Sequence, residues 1–345
     1  ANKLTVTLEN AEKKKLDIVF QLSNNDIAFR YEMPQYGETA CMVIEKEATG
    51  FDFPSSTTTF LSPQSDPMIG WMRTKPSYEE EYVPDEPVAT PSKYGEGYTF
   101  PALFHVGDNW ALVSETGVRS LYCASHLSDA TKDGLYTIAF PNPGEMNGLG
   151  SSTPGLALPG VTPWRTMIVA ESAGDLLLSR LMLNLNEPCR IQDTSWIQPG
   201  RYIGIWWTYH MHKHTWHTGP RHGATTANAL RHIDFAARHG FQGVLIEGWN
   251  KGWDTYHFNF TEPYPDFDLK QITDYAASKG VTLIGHHETD GWVSDYENQL
   301  EAAFNLYKDH GVQIVKTGYV GKLLDGKERH SSQFGVRHYR KVIEL

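Results

Sequence analysis

After Arg201 the chain repeats one pattern: a short apolar run, a stretch with apolar residues three and four apart, then a glycine. The runs are Tyr202-Ile203-Gly204-Ile205-Trp206-Trp207, Gly243-Val244-Leu245-Ile246, Val281-Thr282-Leu283-Ile284 and Val312-Gln313-Ile314-Val315. Apolar runs this short read as buried strands. Ala224–His239, Leu269–Lys279 and Tyr296–His310 read as helices, each stopping at a glycine (Gly240, Gly280, Gly311) that takes a left-handed cap without strain. A fourth helix opens near Phe334. Four β–α units in series argue for a parallel sheet with helices outside. An open doubly wound sheet and a (β/α)8 TIM barrel both fit, and four units make only the first half of such a barrel.

The preceding half has a different rhythm. Leu4-Thr5-Val6-Thr7-Leu8, Leu16-Asp17-Ile18-Val19-Phe20 and Ile27-Ala28-Phe29-Arg30-Tyr31-Glu32 alternate with period two, and turn clusters such as Asn24-Asn25-Asp26 separate them. Many short strands with almost no helical period predict a β-sandwich over residues 1–185. Residues 186–200, with Glu187-Pro188 and Gln198-Pro199-Gly200, suit neither strand nor helix interior and read as a linker. Residues 201–345 then form the truncated barrel, so the expected class is multidomain, β followed by α/β.

Composition narrows the chemistry. With 41 acidic against 30 basic residues the net charge is −11, which disfavours nucleic acid as a partner and leaves room for neutral substrates or a hard cation. No run of 18 apolar residues offers a membrane span. Cys41, Cys123 and Cys189 show no zinc-type spacing and are expected as buried free thiols. Ten Trp and 17 Tyr suit sugar stacking or a large core equally well.

In barrels the reactive groups gather where strands end. Here the four ends read Trp206-Trp207-Thr208-Tyr209-His210, Glu247-Gly248-Trp249-Asn250, His286-His287-Glu288-Thr289 and Lys316-Thr317-Gly318-Tyr319. Taken singly, each glutamate could cap a helix, each histidine could be a satisfied core residue, and the Trp pair could belong to the core. Together they supply carboxylates, imidazoles, an ammonium and indoles at one edge, a set that can hydrogen-bond hydroxyls, stack on a ring and move protons. His286 and His287, adjacent on a strand, point to opposite faces and are not expected to ligate one ion.

These strings, with Pro263-Tyr264-Pro265-Asp266-Phe267-Asp268 and Gln333-Phe334-Gly335-Val336-Arg337-His338-Tyr339, resemble glycoside hydrolase family 97 from about residue 3 to the end. The resemblance implies a calcium-dependent α-glucoside or α-galactoside hydrolase with an N-terminal super-sandwich, incomplete here, and a catalytic barrel. It implies that Glu288 activates water, that Glu247, His286 and Lys316 line the subsite for the non-reducing sugar, and that a sandwich glutamate helps bind Ca2+. Glu79 is the placement for that ligand, with Glu81 and Glu47 as rivals. Trp206 joins the substrate-binding set. The partner is an oligosaccharide, and family habit points to a periplasmic or secreted protein.

Retaining members of the resembled family have an aspartate nucleophile where this chain has Gly318, which cannot attack an anomeric carbon. The expected reaction is therefore inverting hydrolysis of α-glucosides or malto-oligosaccharides, with two carboxyls roughly 6.5–9.5 Å apart around a water molecule. The alternatives are a retaining α-galactosidase of the same family and a non-catalytic sugar-binding fragment. The resemblance places the general acid on later strands, so these 345 residues alone are expected to be inactive.

Overall fold

The computed structural model describes residues 2–64, 81–129, 133–319, 321 and 323–345. Its contacts divide the chain into two compact units, residues 1–190 with 327–344, and residues 191–326 with Leu345.

The first unit is a β-sandwich. Its larger sheet runs, in spatial order, Asn2–Glu9, Lys15–Leu22, Asp26–Met33, Trp164–Ala170, Asn109–Thr116, Ala102–Val106, Thr58–Phe60 and Glu86–Pro87, with Gly160–Val161 also beside Asp26–Met33. All its pairings are antiparallel. A smaller sheet of His126–Leu127, Leu135–Ala139 and Gly50–Asp52 packs against it. Phe104 and Val113 of the large sheet share a buried cluster with Phe51, Leu127, Tyr136 and Ile138 of the small one, as alternation with period two requires. An ion-pair network sits inside this unit: the fully buried Arg165 binds both oxygens of Glu47 through Nε (2.8 Å) and Nη2 (2.6 Å) and pairs with Glu115 through Nη1.

Helix Gln333–Glu344 groups by its contacts with this sandwich, although strand–helix alternation alone would attach it to the barrel half. The buried guanidinium of Arg329 explains the attachment. It donates to the backbone carbonyls of Pro143, Glu145 and Gly150, and Gln333 exchanges hydrogen bonds with Gly155.

The second unit carries four parallel strands, Tyr202–Gly204, Gly243–Leu245, Thr282–Glu288 and Ile314–Gly318, neighbouring one another in chain order. That order never reverses, as in a half barrel; a doubly wound sheet has a switch point. Helices Thr226–His239, Leu269–Ser278 and Val293–Asp309 separate the strands. Thr225 and Asp268 cap the first two by accepting from the N–H groups of Asn228 and Gln271, and Gly240 ends the first with φ 70°. Val244, Ile246 and Leu283 from the sheet bury against Ile233 and Ile272 from the helices.

Two sequence expectations need correction. The first apolar run is not one strand. The strand ends at Gly204, Ile205 turns into the right-handed helical region, and Trp206–His210 form a short helix in which Trp206 and Trp207 are exposed. Of the cysteines only Cys123 is buried; Cys41 and Cys189 are exposed.

Candidate active site

Parallel register fixes the heights at which side chains leave the strand ends. His286 stands opposite Lys316, and Glu288 opposite Gly318. Glu247 follows the second strand and is 1% exposed. Its Oε1 accepts from Lys316 Nζ at 2.6 Å and lies 3.7 Å from His286 Nε2. Glu247, His286 and Lys316 therefore form one constellation, with the lysine half exposed and the other two buried. Glu247 Oε2 and His286 Nδ1 are buried with no hydrogen-bond partner. Burial, then the nearby Lys316 cation, hold His286 well below the usual imidazole range, so its ring is neutral at physiological pH.

The backbone beneath this constellation is pinned by side chains. Tyr209 donates its hydroxyl to the Glu247 carbonyl at 2.7 Å, and Trp249 its indole N–H to the His286 carbonyl at 2.8 Å. His222 Nε2 meets the next carbonyl, that of Gly248, at 3.1 Å while its Nδ1 meets Asp266 at 2.8 Å. The Tyr307 ring lies against Gly285, where a Cβ would come within 2.5 Å of it, and its hydroxyl bridges the N–H and carbonyl of His286. His286 also faces Trp253 in a near-parallel ring stack that continues through Trp216 to Tyr209.

His287 leaves the strand on the opposite face, as period two demands. It is fully buried among Tyr296, Phe304, Phe260 and Tyr307, contacts Tyr296 Oη at 2.8 Å, and burial lowers its pKa to about 3. It is a packing residue.

Glu288, 7% exposed, ends the third strand. Its Oε1 accepts from the backbone N–H groups of Thr289 (3.0 Å) and Asp290 (2.8 Å). Its Oε2 lies over Gly318: a Cβ built there would stand 2.9 Å from the Glu288 carboxyl carbon and closer still to Oε2. A buried carboxylate at this strand end, with Oε1 held by two backbone N–H donors, has the chemistry of a general base.

Trp206 stands apart from these four in its ring contacts, which are with His210 and Trp207. Glu79 lies outside the described residues. Its rival Glu47 does not fit a cation: Arg165 takes both oxygens, with Thr49 adding to Oε1 and Tyr122 to Oε2. Glu81 is exposed. Among the described residues, no three His, Cys, Asp or Glu side chains converge as a metal cage, and no helix is long and apolar enough to cross a membrane. Sequence reading placed Tyr209 and Thr289 in the strand-end strings without giving either a role, and did not single out His222 or Trp253. The polar Thr289-Asp290-Gly291 turn directly after Glu288 was a further available signal.

Comparison with known proteins identifies the family and the fold. The model for the glycosyl-hydrolase 97 N-terminal domain matches residues 1–188, and that for glycoside hydrolase 97 matches residues 206–345. A glycoside hydrolase family 97 enzyme from Pseudoalteromonas sp. strain K8, solved with acarbose, is 34% identical with a TM-score of 0.82, over 99% of this chain and 52% of that one. A β-arabinopyranosidase structure is 36% identical with a TM-score of 0.80, over 100% of this chain and 52% of that one. A retaining α-galactosidase of Bacteroides thetaiotaomicron is 29% identical over 194 residues, 53% of this chain and 27% of that protein. The chain thus spans about half the length of these solved structures and less of the curated relative. With one model on the sandwich and the other on the strand-end constellation, the chain belongs to glycoside hydrolase family 97.

Proposed function

We propose that the protein hydrolyses α-glucosidic bonds at the non-reducing end of α-glucosides and malto-oligosaccharides, inverting the anomeric centre. The observation that carries this reading is the placement of Glu288 over Gly318. Glu288 removes a proton from a water molecule, whose oxygen bonds to the anomeric carbon. The glycosidic C–O bond breaks, and a carboxylic acid supplied by the rest of the enzyme protonates the departing oxygen. Glu247, Lys316 and neutral His286 bind the sugar in the adjoining subsite. The unpartnered Glu247 Oε2 accepts from a hydroxyl and His286 Nδ1 meets another, so substrate completes hydrogen bonds that the protein leaves open.

The complexes of the Pseudoalteromonas enzyme with the oligosaccharides acarbose and panose support the substrate class. A second reading, retaining α-galactoside hydrolysis, draws on the names of the Bacteroides relative and of a probable retaining α-galactosidase from Streptomyces bingchenggensis, 25% identical over 338 residues. It needs a nucleophile that Gly318 cannot supply. We further propose Ca2+ dependence, with Glu79 contributing a ligand oxygen. Assay of the full-length protein on aryl α-glucoside and aryl α-galactoside, with calcium and after chelation, tests all three. The glucoside should be the faster substrate and chelation should suppress turnover; a galactoside preference, or full activity in chelator, contradicts the corresponding part.

A further inference from the structure

Thr289 joins the two residues on which the reaction turns. It is 1% exposed, and its hydroxyl donates to the Gly318 carbonyl at 3.0 Å while accepting from the Gly291 N–H at 3.1 Å. Its backbone N–H lies 3.0 Å from Glu288 Oε1 and 3.1 Å from the same Gly318 carbonyl. The hydroxyl thus clamps the third strand's end to the fourth while fixing the turn that carries the carboxylate's donors.

That turn is shaped for the purpose. Asp290 adopts φ 48° and Gly291 φ 82°. A left-handed residue directs successive N–H groups into one concavity, which suits an anionic oxygen. In that concavity Glu288 Oε1 accepts from the N–H groups of Thr289 and Asp290. Packing leaves the turn little freedom: a Cβ at Gly321 would meet the Asp290 carbonyl, one at Gly291 would meet the Leu323 carbonyl, and Asp325 N–H binds the Gly291 carbonyl at 2.8 Å. A non-glycine residue held in this conformation beside a reactive group is a recurrent mark of imposed geometry.

We propose that Thr289 is a positioning residue for Glu288, its hydroxyl holding the Thr289–Gly291 turn against Gly318 so that the two N–H donors to Oε1, and with them the carboxylate, stay in place. This rests on the reading of Glu288 as the base. Loss of the hydroxyl frees the turn from the Gly318 carbonyl, and misplacement of a reacting group by about 1 Å costs roughly a hundredfold in rate.

The test is steady-state kinetics of the full-length enzyme on an α-glucoside for Thr289→Val, which keeps the shape, and Thr289→Ser, which keeps the hydroxyl. Thr289→Val should lower kcat by roughly ten- to a hundredfold with KM little changed, and Ser should restore most of it. Asp290→Val, excluded by the left-handed backbone, should fall in the same way, and Asp290→Asn, which tolerates it, should fall less. Thr289→Val with wild-type kcat overturns the proposal, as does a loss that serine fails to restore while thermal stability drops in parallel. A wild-type enzyme that releases the α-anomer first defeats the underlying reading instead, so the two failures are told apart.

Discussion

The carboxyl group of Glu288 occupies the volume that any side chain at position 318 would need. The two residues are register partners on adjacent parallel strands, so neither can move away along the sheet. A side chain added at position 318 would require the Glu288 carboxylate to turn away from the place it holds here.

Gly318→Ala places a methyl against the Glu288 carboxylate and drives it off its two N–H donors. Turnover should fall about a hundredfold or more, since a displaced base no longer meets its water. Kinetics of the full-length variant check this; wild-type kcat would show that Glu288 has other room.

Lys316→Met leaves the buried Glu247 carboxylate without its cation. Breaking a buried charge pair costs about 2–5 kcal/mol, and the half-exposed lysine places this case at the lower end. A loss of roughly thirtyfold in kcat/KM is expected. An unchanged kcat/KM would remove Lys316 from the subsite.

Arg165→Met strands Glu47 and Glu115 in the sandwich interior. Removing one member of such a network typically destabilises by about 3–5 kcal/mol. Denaturant titration should show a much lower midpoint; a shift below about 1 kcal/mol would mean water reaches the pair.

Glu145 gives a pH signature. Burial, opposed by the nearby Arg329 charge, raises its pKa to about 7. The folded state therefore binds a proton between the unfolded value near 4.5 and about 7, so this contribution is full below 4.5 and is lost as pH rises through 7. Glu145→Gln should be more stable than wild type at pH 8, by on the order of 3 kcal/mol, with the advantage vanishing near pH 4. Thermal melts at both pH values test it; equal differences at both would contradict the buried, protonated carboxyl.

Much of the site was legible because parallel strands deliver their last residues to one edge. Strand ends put Glu247, His286, Glu288 and Lys316 at one edge, the family resemblance singled them out from their neighbours, and period two separates His287 from His286. Trp206 was less legible: an apolar run reads the same whether the chain continues as a strand or, as here after Gly204, turns into a helix. The pinning of Glu247 and His286 by Tyr209, Trp249 and Tyr307 acts through backbone carbonyls, which carry no sequence signal. The attachment of Gln333–Glu344 to the sandwich is similar, since Arg329 finds its carbonyl partners more than 170 residues away.

The most direct test follows the anomeric proton by NMR as the full-length enzyme cleaves an α-glucoside. Direct attack by water over Glu288 predicts β-glucose first, with the α-anomer rising only by mutarotation. Initial α-glucose would require a protein nucleophile and would contradict the account.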